Sequence, residues 1–317
     1  MRSLLDLKTN IISFVEKNEY YALCIGRLVL MLSGFLMIYF NICYNSGMDT
    51  VLIPIALSIF CAVIPMSVGM VVLELYCLLN LTGLGLEVVA MVGVMFVIAH
   101  LLYFRFAKGT LYRSVLTPVL AFVKMPYIMP VTCGLRGSAG SIVSVLAGMM
   151  VYTLLAGVKA NETVFLGTTD ISATEKMVLL INQIIKNKEL WLVLFAFLLT
   201  DILVYAIRRL SIKNAWRTAY LVGIAFNMVV ILVGKLLVGQ SDGIVWLLIG
   251  SVVSIGVAMV YEFIFMDLDY TRVEQVQFED DNYYYYVKAV PKVMVQARHK
   301  SVKRFGQNPE EDFEEKE

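Results

Sequence analysis

Five ionisable side chains interrupt stretches of the sequence that are otherwise apolar. They are Glu74, Lys124, Arg136, Asp201 and Arg27. A charged side chain in hydrocarbon is costly, so such residues pair with one another, face a water-filled cavity or contact a ligand. Carboxylates and cations at that depth can bind a charged solute or pass a proton. We therefore predict these five as substrate-binding residues, and ion pairs that only hold helices together are the open alternative.

Three of the five lie in two stretches that prolines interrupt, 51–81 and 112–136. Each stretch is too broken for one straight helix and barely long enough for two crossings. A break frees backbone N–H and C=O groups that hydrocarbon cannot satisfy, so breaks at membrane depth occur where protein or a cavity surrounds them. Interrupted segments of this kind are the best sequence pointer to a transporter site. We predict that each stretch returns to the side where it begins, as a re-entrant loop or as paired crossings.

The elements that must position these residues follow from the composition. Of the 317 residues, 59% are hydrophobic and 16% are charged, against roughly 45–50% and about 25% in soluble proteins. This excludes a soluble enzyme, a disordered chain and a nucleic-acid-binding module, and the net charge of +1 is too small to attract a polyanion. A crossing helix needs about 20 apolar residues. Six stretches reach or approach that length: 20–44, 86–104, 138–158, 189–207, 218–239 and 244–266.

We therefore predict an all-α polytopic membrane protein, a helical bundle with broken or re-entrant segments and a small cytoplasmic β-hairpin tail. Lys and Arg concentrate in the cytoplasmic loops of membrane proteins, and here they cluster at 2–17, 105–113, 208–217 and 288–304. These clusters place both termini in the cytoplasm, with an even number of crossings of roughly six to ten. The prediction is a multi-pass plasma-membrane protein whose first partner is the lipid bilayer.

The sequence divides into three parts. Residues 1–19 have helically spaced apolar side chains, which predict an amphipathic helix on the cytoplasmic membrane surface. Residues 20–266 make the transmembrane bundle. In the tail, 267–317, a run of β-forming residues predicts a hairpin over 271–290, and the acidic end is predicted to be disordered. A lone hairpin is marginal in water, so the tail is expected to need a partner.

The long connection 159–188 contains a helix signature. Ser172 and Glu175 have the spacing of a capping box, in which each residue satisfies a backbone N–H of the other. The side chains that follow are predicted to make one apolar side: Met177, Ile181, Ile184 and Ile185. This pattern predicts an amphipathic helix along the outer interface, either a passive connector or a lid.

Two spans carry small residues at a spacing of four. Such ladders let helix backbones approach closely in a membrane, where apolar surface alone drives no association. They are expected to serve internal contacts or a homo-oligomer face. The first ladder is Gly140, Ser144 and Gly148, and the second is Gly250, Ser254 and Ala258.

No cofactor or metal is indicated. The five cysteines lie in apolar stretches, form no CxxC pair and are predicted to be small buried side chains. The sequence has no phosphate-binding P-loop, HExxH or GxSxG pattern. A membrane enzyme is therefore the third and least favoured hypothesis.

The tail motif resembles that of a known family. The stretch Tyr270-Thr271-Arg272 through Phe278-Glu279-Asp280-Asp281-Asn282-Tyr283-Tyr284-Tyr285-Tyr286-Val287-Lys288-Ala289-Val290-Pro291-Lys292 is similar to a family of uncharacterised polytopic membrane proteins from anaerobic Gram-positive bacteria. Two further stretches share the resemblance: Arg208-Arg209-Leu210-Ser211 followed by Ala215-Trp216, and Lys124-Met125-Pro126-Tyr127. The resemblance runs over most of the chain and implies a bacterial plasma membrane. It implies no particular activity.

The sequence thus favours a transporter-like protein, or the membrane subunit of a transporter, that binds a small solute or ion at 51–81 and 112–136. The alternative is a non-transporting scaffold whose C-terminal tail recruits a cytosolic or envelope-assembly partner. In the scaffold, the polar residues of the spans only hold helices together. Nucleic acid is not an expected partner of either.

Overall fold

The computed structural model describes residues 14–15, 17–106, 109–137, 140–166, 172–210, 214–239, 242–265, 274–280 and 283–289. Most of the predicted surface helix 1–19 and the acidic end of the tail lie outside these ranges. The chain forms two units, Met1–Ile264 and Phe265–Glu317. Within the described ranges, the helices of the first unit are α1 Glu19–Ile42, α2 Leu52–Val63, α3 Met66–Leu81, α4 Leu86–Phe106, α5 Leu111–Phe122, α6 Ile128–Arg136, α7 Ile142–Ala160, α8 Glu162–Phe165, α9 Ala173–Ile185, α10 Lys188–Arg208, α11 Ala215–Val238 and α12 Ile244–Phe265.

Within the described residues, seven helical stretches are long and apolar enough to cross a bilayer: α1, α3 with its following 3-10 turn, α4, α7, α10, α11 and α12. Their outward faces carry large apolar side chains, with Phe40 70% and Leu237 84% exposed. A surface of this kind is stable only against hydrocarbon. The all-α polytopic membrane fold is therefore confirmed: this is a multi-pass membrane-embedded protein whose apolar helix faces contact lipid.

The first broken stretch is a pair of helices joined by a sharp break. Helix α2 has 12 residues, or about 18 Å, too short to cross. It ends at Val63, the backbone of Ile64 is extended, and Pro65 is the N-cap of α3. Because Pro65 has no N–H, carbonyls at the end of α2 lose a helical partner, and Arg27 Nη1 donates to the Ile64 carbonyl at 3.2 Å.

Hydrogen bonds between loops define one end of the bundle, which we call the Tyr44 end. The N–H of Tyr44 donates to the Asn80 carbonyl at 3.3 Å, so the stretch 51–81 returns to the end where it begins. The Tyr44 hydroxyl donates to Glu162 at 3.0 Å, and Lys159 donates to Asn41 at 2.7 Å. Burial, together with the bond to Glu162, raises the pKa of Tyr44.

The second broken stretch forms a hairpin of two short helices, α5 and α6, which we call the re-entrant hairpin. They have 12 and 9 residues, or about 18 and 14 Å, so neither crosses alone. Both outer ends lie at the opposite end of the bundle, the Arg208 end. There the Thr110 and Ser144 hydroxyls are 3.2 Å apart, and Arg208 donates to the carbonyls of Leu135 and Gly137. Assignment of this end to the cytoplasm stays a prediction.

Two hydrophobic cores hold the helices together. The first is built mainly from α1, α3 and α4, and the second mainly from α6, α10, α11 and α12. Helices α5 and α7 contribute to both, through Val115 and Leu154 in the first core and Ala121 and Val145 in the second. The re-entrant hairpin therefore lies between two packed groups of spanning helices.

Helix α9 has the predicted capping box: Glu175 N–H donates to Ser172 Oγ at 3.4 Å, and Ser172 N–H donates to the Glu175 carboxylate at 3.0 Å. Its predicted apolar side is split: Met177 and Ile184 are partly buried, whereas Ile181 and Ile185 are exposed. The side chain that the helix buries fully is Leu180, which was not predicted. Helix α9 packs on α4 and α7, so this connection lies against the bundle and is not a free connector.

A Ser172→Ala variant should loosen the start of α9. Loss of an N-cap side chain costs about 0.5–2 kcal/mol of local stability, so the first-turn amides should exchange with deuterium faster. A Thr174→Ala variant, which removes an exposed non-capping hydroxyl, should leave exchange unchanged. Equal exchange in the parent and both variants would count against a working cap.

In the second unit, the strands β1 Glu274–Asp280 and β2 Tyr283–Ala289 pair antiparallel, with Glu274 opposite Ala289. The predicted hairpin 271–290 includes residues outside the described ranges, among them its turn at 281–282. A folded tail module that recruits a partner stays a prediction.

Candidate solute-binding vestibule

The tip of the re-entrant hairpin is set by the way α5 ends. The N–H of Lys124 donates to the Ala121 carbonyl at 2.9 Å, and the N–H of Met125 donates to the Leu120 carbonyl at 2.8 Å. This is a Schellman motif, whose left-handed position is usually glycine. Here Lys124 occupies it, with φ of 63°, at a cost of roughly 1–2 kcal/mol. Pro126 then prevents further helix and turns the chain into α6.

Close contacts with spanning helices surround the hairpin. A Cβ on Gly134 of α6 would lie 2.6 Å from Val204 Cβ and 2.9 Å from the Asp201 carbonyl, both on α10. Gly148 of α7 makes a similar approach to α5. On α12, Gly250 lies against the Tyr127 ring of the tip. Each predicted ladder thus faces the hairpin, which is an internal contact.

A cavity of about 340 Å³, which we call the vestibule, lies between the tip and the Tyr44 end. A wider polar mouth of about 410 Å³ adjoins it and shares Gln183, Asn187 and Glu189 with it. Aromatic and aliphatic side chains make most of the vestibule wall: Tyr127, Tyr152, Trp246, Met149, Leu190, Val193 and Ile231. This combination of apolar walls with a few polar groups is typical of small-molecule sites.

Lys124 is the exposed cation at the tip. Its Nζ lies over the Trp246 ring, 5.4 Å from the centroid. Within the described part of the chain, no carboxylate lies within 4.0 Å of this ammonium. A cation with only an aromatic face beside it can accept an anionic group as its partner.

A second lysine of the vestibule is already paired. Lys235, near the end of α11, is 6% exposed. It donates to Glu189 of α10 and, at 2.8 Å, to the carbonyl of Asp242. Lys235 can be buried because a carboxylate and a carbonyl take the place of water as its partners.

Asp201 is not among the residues that line the vestibule, and it is buried, at 3% exposure. Arg113 and Arg208 are the cations that act on it. Arg113 is 2% exposed, and its Nη2 donates to the Thr132 carbonyl at 3.5 Å, which links α5 to α6. Among the described residues, Asp201 Oδ1 and Arg113 Nε and Nη1 have no hydrogen-bond partner. This is a buried charge cluster, which we call the Asp201 cluster.

The remaining predicted site residues lie in separate places. Glu74 of α3 faces His100 of α4 at 3.2 Å. Arg27 supports the break at Ile64. Arg136 is exposed at the end of α6. The structure therefore does not bring Asp201, Glu74, Arg27 and Arg136 together, because α1 and α3 belong to one core and α6 and α10 to the other.

Several residues of these sites were not found from the sequence. The charge pattern groups Arg113 with the loop charges, although it lies in the first turn of α5 and is buried. Glu189 and Lys235 are 46 positions apart, and only the antiparallel packing of α10 on α11 joins them. The sequence signal that could have found this pair is an acid near the start of one span and a base near the end of the next, since antiparallel packing brings those ends together.

The arrangement favours binding over bond chemistry. Among the described residues there is no group of three or more His, Cys, Asp or Glu side chains that could hold a metal. From the same residues, the vestibule offers one cation without a carboxylate partner, a buried ion pair and aromatic walls. Comparison of the chain with models of protein families, with curated proteins and with solved structures finds no match.

Proposed function

We propose that the protein binds a small anionic solute in the vestibule and acts as a transporter or as the membrane subunit of one. The observation that carries this proposal is the position of Lys124. Its ammonium is exposed to the vestibule from a left-handed backbone position. Backbone strain of this kind is concentrated at functional sites, where the surrounding structure holds it in place.

The charge around the vestibule supports an anion as the ligand. Four lysines line the vestibule and its mouth, Lys124, Lys186, Lys188 and Lys235, against the two acids Glu189 and Asp242. An excess of one sign in a cleft raises the local concentration of ligands of the other sign. The aromatic walls suit a solute with an apolar body as well as a charged group.

The hairpin itself supports transport rather than a purely structural role. Its two helices are each too short to cross, and its tip reaches a cavity that opens towards one end of the bundle. Helix ends that meet at bilayer depth beside a cavity are the usual site of solute binding in secondary transporters. The proposed cycle exposes the Lys124 site to each side in turn.

Binding can be measured through Trp246, which lies beside Lys124. The sequence has three tryptophans, so a variant that carries both Trp191→Phe and Trp216→Phe keeps Trp246 alone. Titration with benzoate, acetate, phosphate and sulfate should change its emission for at least one of them. Lys124→Gly should weaken that binding by roughly 10- to 150-fold, since a hydrogen bond to a charged group contributes about 1.5–3 kcal/mol.

The same substitution separates binding from folding. Glycine suits the left-handed position, so Lys124→Gly should keep or raise the unfolding temperature while it removes the anion site. Lys124→Arg should retain binding, and Lys176→Gln, whose side chain contacts the Phe165 carbonyl outside the vestibule, is the matched control. Anion binding by Lys124→Gly at parental strength would overturn the proposal. The anion that binds would then be tested for uptake by proteoliposomes.

A further inference from the structure

We infer that the Glu74–His100 pair is a proton-binding site inside the bilayer, reached by water from the Arg208 end. Glu74 lies roughly 12 Å from the start of α3 and 10 Å from its end, at 1.5 Å per residue. Its carboxylate lies 3.2 Å from His100 Nδ1, and the two side chains are only 13% and 17% exposed. Histidine is the side chain whose charge changes near neutral pH. Glu74 Oε1, which is buried and has no hydrogen-bond partner among the described residues, lies within ion-pair distance of it.

The protonation step moves one proton and changes the charge of the pair by one. A pair that consists of a carboxylate and a neutral imidazole carries one negative charge. Uptake of one proton from water makes a pair without net charge, in which Nδ1–H donates to the carboxylate. An isolated charge inside a bilayer is costly, and a neutralised pair is less so. The pair therefore holds the bound proton beside the carboxylate, and no further ion is needed to balance the charge.

Few other ionisable groups face this pair. A small cavity of about 50 Å³ lies beside Glu74, with walls from α1, α3, α4, α5 and α7. The titratable side chains on its wall, apart from Glu74, are Cys77 of α3 and Tyr103 of α4. Among the described residues, α1, α5 and α7 contribute no ionisable side chain to it. His100 is thus the basic group that faces Glu74.

Hydroxyl groups connect this cavity to the Arg208 end. Ser114 and Ser144 lie on its wall, and Ser144 Oγ is 3.2 Å from Thr110 Oγ1. The Tyr103 hydroxyl, on the same wall, accepts a hydrogen bond from the exposed Gly109 N–H at 3.1 Å. The volume is enough for a water molecule, which would have Glu74, Tyr103 and the Ser114 and Ser144 hydroxyls as its polar partners. These groups make up the proposed path of the proton between Glu74 and the Arg208 end.

Towards the Tyr44 end, Asn80 and Leu81, one to two turns from Glu74 along α3, are fully buried, and so is Phe35 of α1. The proposed access is therefore from the opposite end to the opening of the vestibule. Helix α5 lines the cavity through Pro118 and the vestibule through Ala121. A role of this proton in driving solute movement rests on the proposed function, whereas proton binding itself does not.

Infrared difference spectra of the purified protein, recorded on pH steps between about 5 and 9, test the inference without any solute. The parent should show carboxyl and imidazole bands that titrate together. Both should disappear in Glu74→Gln and also in His100→Gln. Glu87→Gln, at the start of α4, is the matched control and should keep them, and size-exclusion profiles identify any variant that fails to fold.

Two results would overturn the proton site. One is that the paired bands persist in folded Glu74→Gln or His100→Gln. The other is that the parent shows no such bands over the pH range. Neither result bears on anion binding at Lys124, which Trp246 emission reports separately.

Discussion

An Asp201→Asn variant should lose part of its unfolding free energy, because it removes the negative charge that acts on the buried guanidinium of Arg113. The reason is the position of Arg113, which is 2% exposed and lies in the Asp201 cluster. Without the Asp201 carboxylate, the Arg113 guanidinium stays buried with no compensating negative charge. The hairpin that carries Arg113 would then tend to leave its place against α10.

The measurement is thermal or denaturant unfolding in detergent, followed by circular dichroism. A second substitution, Arg113→Gln, should restore most of the loss, because it removes the charge that Asp201 balances. Glu262→Gln is the matched control. It breaks a pair with Arg217, which is largely exposed, so it should cost much less. Equal losses in Asp201→Asn and Glu262→Gln, or no recovery in the double variant, would refute the balancing role of Asp201.

Gly134→Val should displace α6 from α10 and lower the unfolding temperature markedly. Even the first added atom would lie 2.6 Å from Val204 Cβ and 2.9 Å from a backbone carbonyl of α10. Neither neighbour is the flexible end of a long side chain, so the helices must separate. Overpacking of this kind costs about 1–3 kcal/mol, occasionally more.

A glycine in open surroundings provides the control for that substitution. Gly256 of α12 has nothing within 4 Å of the position that a Cβ would take, so Gly256→Val should unfold near the parental temperature. Gly134→Val should also reduce anion binding at Lys124, since the same hairpin carries both residues. If Gly134→Val unfolds like Gly256→Val, the close contact between α6 and α10 is not what holds the hairpin.

The spans were predictable because hydropathy is a local property. The predicted stretch 20–44 corresponds to α1, and 189–207 lies within α10. The capping box of α9 was also readable, because its two residues are three positions apart. In 112–136 the prolines correctly predicted a break, and the left-handed backbone of Lys124 gave the turn its shape.

Partners far apart in the chain were not predictable from one sequence. Lys124 was found because it interrupts a broken stretch, whereas nothing local shows that Trp246 lies beside it. Arg113 was misplaced for a physical reason: a basic residue near the end of a helix can reach water or turn inward. In the structure Arg113 turns inward and donates to the Thr132 carbonyl of α6, 19 positions away along the chain.

The close packing around the hairpin has a mechanical consequence. With α7 at Gly148, α10 at Gly134 and α12 at Gly250, the hairpin has no room to slide by itself. Under the proposed function, the change of shape that admits solute from two sides is therefore expected between the two cores, with α5 and α7, which contribute to both, at the boundary.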